Sequence, residues 1–170
     1  MILTKTWISR LPLNVITDVA GEQDVPWPLL AAIVQTESGG NRFAARFEPD
    51  YKYLVVPDKF AREQGISQLT ELMFQKTSWG LAQIMGGVAR EHGFQQSLIE
   101  LTDPEINLTL ACKHIHKLSS RWKDRSDFIA AYNAGSPIKQ LDGKYKNQQY
   151  VDKVLNYMAA LTETFDYKRV

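Results

Sequence analysis

Apolar residues recur every three or four positions along most of the chain, and glycines, prolines or polar clusters separate the periodic segments. This spacing predicts five helices, over residues 13–20, 28–37, about 79–92, 103–122 and 147–164, and a shorter one over 126–133. Residues 57–65 and 67–75 are also compatible with helix, and residues 51–56 with a short extended piece. The pattern therefore predicts a mainly α fold with little or no β structure.

Local residues support several of these boundaries. Pro28 and Pro104 suit the first turn of a helix, because the N–H that proline lacks would have no helical partner there. Asp103 and Ser126 have side chains that can cap a helix at its amino end. Gly93 is expected to end the helix that begins near residue 79.

The length of 170 residues suits one domain with a single hydrophobic core. Hydrophobic residues make up 44% of the chain and charged residues 23%, which is typical of a globular protein rather than a disordered one. The formal net charge is +1, and no long basic run is present. We therefore expect no nucleic-acid partner, because such proteins usually carry a strongly basic surface.

Cysteine and histidine offer little for metal binding. Cys112 is the only cysteine, so no internal disulfide can form, and we expect it to be a small buried side chain rather than a nucleophile. His114 and His116 lie two positions apart on a predicted helix, point to different sides and make a poor ligand pair, and His92 is the only other histidine. We expect no metal site and no cofactor.

The beginning of the chain does not resemble a signal peptide. Residues 1–15 lack a long apolar run and a cleavage site of small residues. No apolar run in the sequence approaches the length of a membrane span. A protein of this kind that acts outside the cytoplasm would need another route, such as a virus particle or a lysis pore.

Glu37 is the most informative candidate for catalysis. It is the only carboxylate of the helix predicted over 28–37, and it continues the apolar face of that helix in its last turn. Partial burial and the negative end of the helix dipole would both raise its pKa, as a general acid requires. Gly39 and Gly40 would stop the helix and let a substrate approach closely. Alternatively, Glu37 is a surface residue before a helix cap, or an ion-pair partner of Arg42 or Arg46.

Three other polar side chains lie among apolar residues of the predicted helices. Gln83 falls in the apolar turn 81–85, where its amide needs a partner from the core or from a ligand. Tyr132 should point its ring inwards while its hydroxyl seeks a hydrogen bond, and Asn133 follows it at the helix end. Taken singly, these residues are explained at least as well by structural roles, as a buried glutamine, a core tyrosine and a capping asparagine.

Five short motifs follow one another along the chain: ESGGN at 37–41, GLAQIM at 80–85, DPEIN at 103–107, AYNAG at 131–135 and YVDKV at 150–154. In this order they resemble the soluble lytic transglycosylase domain, over about residues 26–157. The resemblance implies a lysozyme-like helical domain with a cleft. It also implies cleavage of the MurNAc–GlcNAc β-1,4 bond of peptidoglycan with formation of 1,6-anhydroMurNAc.

The resemblance also assigns roles to individual residues. Glu37 matches the catalytic acid and base of the family. The expected substrate-binding residues are Ser38, Ser78, Gln83, Met85, Tyr132 and Asn133. Peptidoglycan glycan strands are the expected partner, and an enzyme of this size with a single cleft is expected to be a monomer, with association with a virus particle left open.

Two departures from the family pattern are visible. The usual Gly-Leu-Met-Gln motif has Ala82 in place of methionine, which makes one cleft-wall side chain smaller. The stretch between Glu37 and Gly80 is longer than in minimal members, so we expect a single domain over 1–170 with an insertion at about 44–78, either a subdomain or a flap. Within it, Arg46-Phe47-Glu48 resembles a motif of phage-type N-acetylmuramidases. This suggests a phage or prophage branch and adds Glu48 to the candidate site.

The resemblance implies a mechanism with one carboxylate. Glu37 would protonate the glycosidic oxygen, the N-acetyl group of MurNAc would assist, and Glu37 would then accept a proton from the C6 hydroxyl. In a first alternative, a hydrolytic N-acetylmuramidase, Glu48 or Asp50 would act as the second carboxylate and water would replace the C6 hydroxyl. In a second, the protein is a glycan-binding virion component without catalytic activity.

Overall fold

The computed structural model describes residues 6–166. In this range there are eight α-helices: α1 Leu13–Glu22, α2 Trp27–Glu37, α3 Pro57–Gln64, α4 Gln68–Gln75, α5 Gly86–Glu91, α6 Pro104–Arg121, α7 Arg125–Ala134 and α8 Gln148–Asp166. Three short strands, β1 Ala45–Phe47, β2 Thr77–Trp79 and β3 Ile84–Met85, form one antiparallel sheet in the order β1-β2-β3. The predicted mainly α, lysozyme-like architecture is therefore confirmed.

Helix α2 lies at the centre of the hydrophobic core. All six residues from Leu29 to Val34 are buried, so apolar side chains cover its whole circumference in the middle turns. It packs against α8 along most of its length, and against α1 and α6 on other sides. Pro26 precedes the helix and Pro28 lies in its first turn, as expected. The buried middle of α2 thus holds Glu37, its last residue, at a defined place.

The helix caps explain two boundaries. The Asp103 side chain accepts hydrogen bonds from the backbone N–H groups of Glu105 and Ile106, which starts α6 as predicted. Helix α7 begins earlier than predicted, because Asp124 caps it by accepting from the backbone N–H of Ser126 and Asp127. The assignment of Ser126 as the cap was wrong.

The helix predicted from residue 79 to 92 was also largely wrong, since only α5 is helical there. Gly80 adopts a left-handed conformation with φ of 71°, and a Cβ at this position would lie 2.4 Å from the carbonyl oxygen of Leu101. The buried Asn107 side chain accepts from the backbone N–H of Ala82 at 2.8 Å and donates to the carbonyl of Trp79 at 2.8 Å. A side chain from α6 thus satisfies the backbone of residues 79–82 in place of helical hydrogen bonds.

The expected insertion, 44–78, contributes β1, α3, α4 and β2. The helices expected over 57–65 and 67–75 are confirmed, whereas 51–56 form no strand. A fully buried ion pair joins α4 to α5: the Arg90 guanidinium donates to both carboxylate oxygens of Glu71, at 2.8 and 3.0 Å. Gln75 donates to the same carboxylate and also bonds the backbone of Val55 in both directions. This network ties the inserted segment to the rest of the fold.

Cys112, the beginning of the chain and the hydropathy of the helices were also subjects of prediction. Cys112 is buried, and burial raises the pKa of its thiol to about 12, which agrees with a structural role. The first five residues of the segment judged unlike a signal peptide lie outside the described residues. Among the helices of residues 6–166, none combines the length and the hydropathy that a membrane crossing requires.

Candidate functional site

Glu37 lies at the carboxyl end of α2, half-buried beside two tyrosines. Loss of hydration through burial raises the pKa of its carboxyl group. Two weaker effects oppose this and lower the pKa: a hydrogen bond from the Tyr150 hydroxyl, at 2.6 Å from Glu37 Oε1, and the positive charge of Arg46. Burial is the larger effect, so Glu37 holds its proton to higher pH than an exposed glutamate does.

Tyr132 and Tyr150 place two phenols next to this carboxyl group. Burial raises the pKa of both hydroxyls well above the usual value, and the nearby charge of Glu37 raises them further. Both phenols therefore stay protonated and can donate hydrogen bonds at any physiological pH. Tyr150 donates to Glu37, whereas Tyr132 donates to the backbone carbonyl of Ala82 at 2.9 Å. The inward orientation predicted for the Tyr132 ring agrees with this contact.

Ser38 connects the end of α2 to the loop that follows β2 through a hydrogen bond of its side chain. Its hydroxyl donates to the carbonyl oxygen of Leu81 at 2.7 Å and accepts from the backbone N–H of Gly40 at 3.2 Å. Gly40 has φ of 89°, and a Cβ there would lie 2.4 Å from the carbonyl oxygen of Arg10. Ser38 and Gly40 thus position Glu37, and substrate binding by Ser38 stays a prediction.

Gln83 and Ser78 form hydrogen bonds within the protein. Gln83 Oε1 accepts from the Ser78 hydroxyl at 2.9 Å, and Gln83 Nε2 donates to the carbonyls of Ala44 and Gly80 at 3.0 and 2.9 Å. Gln83 also has a positive φ of 48°. The bond to Gly80 therefore closes the turn 80–83 on itself, and the bond to Ala44 joins this turn to the residue before β1. The contacts of Gln83 are structural in this arrangement, and glycan binding by Gln83 or Ser78 stays a prediction.

The Asn133 side chain, at the end of α7, is held by a hydrogen bond from Asn147. Its Oδ1 accepts a hydrogen bond from Asn147 Nδ2 at 3.0 Å, and the same nitrogen donates to the carbonyl of Ala130 at 3.0 Å. No residue in the range 6–166 accepts a hydrogen bond from Asn133 Nδ2, so this donor is available to a ligand. Asn147 was not among the predicted residues.

An open cleft of about 550 Å³ runs past Glu37. It is lined by Thr36, Glu37, Arg46, Asn133, Gln140, Lys144, Tyr145, Lys146, Asn147, Gln148, Gln149, Tyr150 and Lys153. Of the predicted site residues, Glu37 and Asn133 lie on this lining. The others, Ser38, Glu48, Ser78, Gln83, Met85 and Tyr132, lie outside the lining and not on the cleft wall.

Glu48 and Met85, two of the predicted substrate-binding residues, make contacts within the protein and do not line the cleft. The carboxylate of Glu48 accepts a hydrogen bond from the guanidinium of Arg46, with which it forms an ion pair. Met85 ends β3 and pairs with Ser78 across the sheet. Among the cleft-lining residues, Glu37 is therefore the only carboxylate. Roles of Glu48 and Met85 in substrate binding stay predictions.

Sequence reasoning missed several of the residues that form the cleft. Tyr150 entered only through the YVDKV motif at 150–154, and no residue from Gln140 to Gln149 was predicted to belong to the site. One usable signal was present, because Tyr150 is an aromatic residue with a polar tip next to the buried Val151 and Val154 of α8. The long separation from Glu37, 113 residues, carries no local signal.

The described residues include no group of three or more His, Cys, Asp or Glu side chains that could hold a metal ion. His92 and His114 make a contact that the sequence did not suggest, with Nε2 and Nδ1 3.2 Å apart. His114 also packs edge-on against the Tyr132 ring, whereas His116 contacts the carbonyl of Gln23, so the two histidines do point to different sides.

Comparison with protein-family models gives a match to the model described as "Transglycosylase SLT domain", over residues 14–155. The match covers most of the chain and includes α1 to α7 and the first part of α8. Comparison with curated proteins gave no match.

Proposed function

Because the chain belongs to the transglycosylase SLT domain family, we propose that it is a lytic transglycosylase of peptidoglycan. It cleaves the β-1,4 bond between MurNAc and GlcNAc and leaves 1,6-anhydroMurNAc at the new end. One observation carries the proposal: Glu37, a carboxyl group with a raised pKa, is the only carboxylate on the cleft lining. A reaction with one acid and base needs no second carboxylate.

In the first step Glu37 donates its proton to the glycosidic oxygen as the bond to MurNAc C1 breaks. The raised pKa supports this role, since a general acid must hold its proton near the working pH. Positive charge develops at C1, and the N-acetyl oxygen of the same sugar stabilises it from within the substrate. Asn133 Nδ2, on the cleft lining, is available to orient that N-acetyl group.

In the second step the ionised Glu37 accepts the proton of the C6 hydroxyl, whose oxygen attacks C1 and closes the anhydro ring. Tyr150 stabilises the ionised form of Glu37 during this interval, because its hydroxyl donates to Oε1. The opposing effects of burial and of the Tyr150 hydrogen bond on the pKa suit a group that first donates and then accepts a proton. The proton balance closes, and no water is consumed.

Hydrolysis by an N-acetylmuramidase is the second candidate. It would use Glu48 or Asp50 as the second carboxylate, but neither lies on the cleft lining, and Glu48 is paired with Arg46. These positions favour the transglycosylase reaction. Mass spectrometry of digested murein tests the choice, because anhydro ends are one water lighter than the reducing ends that hydrolysis leaves.

A glycan-binding role without catalysis is the third candidate. Replacing Glu37 by Gln keeps the size of the side chain and its bond to Tyr150 but removes the transferable proton. The proposal expects a folded Glu37→Gln variant to bind murein and release no product. Full clearance of murein by that variant would contradict an acid role for Glu37.

We also propose that the protein is a single domain that acts as a monomer on the cell wall and is delivered by a phage particle or a lysis pore. The resemblance of Arg46-Phe47-Glu48 to phage-type muramidases supports the delivery route. Sedimentation analysis tests the monomer, and fractionation of induced cultures tests the association with virus particles.

A further inference from the structure

The charges on the cleft lining are strongly uneven. Four lining side chains are cationic, Arg46, Lys144, Lys146 and Lys153, whereas the only acidic one is Glu37. The whole chain has a net charge of only +1, so this excess is a local property of the cleft. Burial raises the pKa of Glu37, so this one acidic side chain is ionised over a narrower pH range than an exposed glutamate.

In the part of the chain that the structure describes, two of these cations have no acidic partner. Arg46 is paired with Glu48, and Lys144 lies 3.9 Å from a carboxylate oxygen of Asp142. Within residues 6–166, Lys146 and Lys153 form no ion pair. Both lie on the side of the cleft formed by the α7–α8 connection and by α8, so the unpaired positive charge is on one wall.

Lys146 and Lys153 are not the cations that act on the pKa of Glu37. Arg46 is the cation whose charge lowers the pKa of Glu37, and neither Lys146 nor Lys153 contributes to that shift. The lining residues between them in the chain are three amides, Asn147, Gln148 and Gln149, and the phenol Tyr150, which donates to Glu37. Amides donate and accept hydrogen bonds but cannot neutralise a charge. The unpaired positive charge therefore belongs to side chains that line the space where a ligand would lie.

We propose that Lys146 and Lys153 recognise carboxylates carried on the lactyl side of MurNAc and so make the cleft specific for charged glycan. This inference rests on the proposed function. The sugar rings of peptidoglycan are neutral apart from that lactyl substituent, which either bears a peptide stem with free carboxylates or ends in its own carboxylate once the stem is removed. Two cations on one wall match a substituent that projects from one side of the ring.

Binding is measured in the Glu37→Gln background by calorimetry, so that no ligand is consumed. The three ligands are murein oligosaccharides with peptide stems, the same oligosaccharides after an amidase has removed the stems, and chitotetraose, which has no carboxylate. The measured quantity is the ratio of the Kd for chitotetraose to the Kd for each carboxylate-bearing ligand. The test variant is Lys146→Gln with Lys153→Gln, and the matched control is Lys52→Gln with Lys123→Gln, two exposed lysines away from the cleft.

We expect the test variant to lose roughly five- to tenfold of the preference for carboxylate-bearing ligands, and the control variant to keep it. Lys146→Arg with Lys153→Arg should restore the preference, because the charge is kept. The preference should also weaken in about 0.5 M salt. If wild-type protein still prefers the stem-free oligosaccharide over chitotetraose, the lactyl carboxylate is the group recognised. If it shows this preference only for oligosaccharides with stems, the carboxylates of the stem are recognised.

An unchanged ratio in the test variant would overturn the inference. If wild-type protein still releases anhydro products in that case, the proposed function stands and only the role of the lysines fails. If no murein ligand binds and no product forms, both fail.

Discussion

The Tyr150 hydroxyl donates a hydrogen bond to Glu37 Oε1 across 2.6 Å, and this contact joins the first turn of α8 to the last turn of α2. The bond favours the ionised carboxylate, whereas burial favours the protonated form. Replacing Tyr150 by Phe should therefore raise the pKa of Glu37 further. The fall of kcat/KM at high pH, as the general acid loses its proton, should move to higher pH.

The Tyr150→Phe variant should also lose about tenfold in kcat, because ionised Glu37 loses a donor in the second step. A pH profile of murein solubilisation measures both effects. Tyr157→Phe is the matched control, since Tyr157 lies on the same helix, packs against Trp7 and has no role in the cleft. A high-pH limb that stays in place in Tyr150→Phe would contradict the interpretation.

Glu37 and Glu48 should respond very differently to the same substitution. Glu37→Gln should lower kcat by about 10³-fold or more, in the range that loss of a general acid causes. Glu48→Gln should lower it by less than about fivefold, because Glu48 is not a cleft-lining residue and its carboxylate is paired with Arg46. Release of soluble muropeptides measures both rates. Equal losses in the two variants would favour a hydrolytic mechanism with two carboxylates.

The buried pair of Glu71 and Arg90 should be essential for stability. Glu71→Gln leaves a buried guanidinium without its counter-charge, which should lower the free energy of unfolding by about 3–5 kcal/mol. Asp58→Asn is the control, because the Asp58–Arg62 pair is exposed and should contribute less than about 1 kcal/mol. Urea denaturation of both variants checks the difference. Similar midpoints would mean that the network does not hold the inserted segment.

Two Gly→Ala substitutions should change stability in opposite directions. Gly80→Ala forces a Cβ into the carbonyl of Leu101 and strains a positive φ, so we expect a loss of more than about 2 kcal/mol. Gly21→Ala lies within α1, where nothing is within 4 Å of the new Cβ, and should gain about 0.5–1 kcal/mol. Thermal unfolding measures both. A Gly80→Ala protein as stable as wild type would show that the turn 80–83 can adopt another conformation.

The stability of the fold should depend on pH through His114. Burial lowers the pKa of His114 to about 4, from an ordinary value of 6.5. The unfolded chain therefore binds this proton first as the pH falls, and the contribution is present above pH 6.5 and lost between 6.5 and about 4. The loss should reach on the order of 3 kcal/mol.

The difference in unfolding free energy between wild type and His114→Gln, measured across that window, isolates the effect. Burial of Glu37 acts with the opposite sign, but it is common to both proteins and cancels. His116→Gln is the control for removing an imidazole from the same helix. A flat difference for His114→Gln would contradict the burial of a neutral imidazole.

The periodic pattern of apolar residues determined most of the helices, because an amphipathic or buried helix repeats its apolar positions locally. It also placed Glu37 at the end of the apolar face of α2, and burial does raise its pKa. The order of five motifs indicated the family, which the family model over residues 14–155 shows independently.

Tertiary structure alone decided how residues 77–85 fold and which side chains meet Glu37. The apolar residues after Trp79 have helical spacing, but Asn107 from α6 satisfies their backbone, and Gly80 turns beneath Leu101. Such contacts join residues 21 or more positions apart, so no local periodicity can encode them. For the same reason the sequence did not predict the hydrogen bond from Tyr150 to Glu37 or the cationic residues of the cleft. Both arise only when α8 packs against α2.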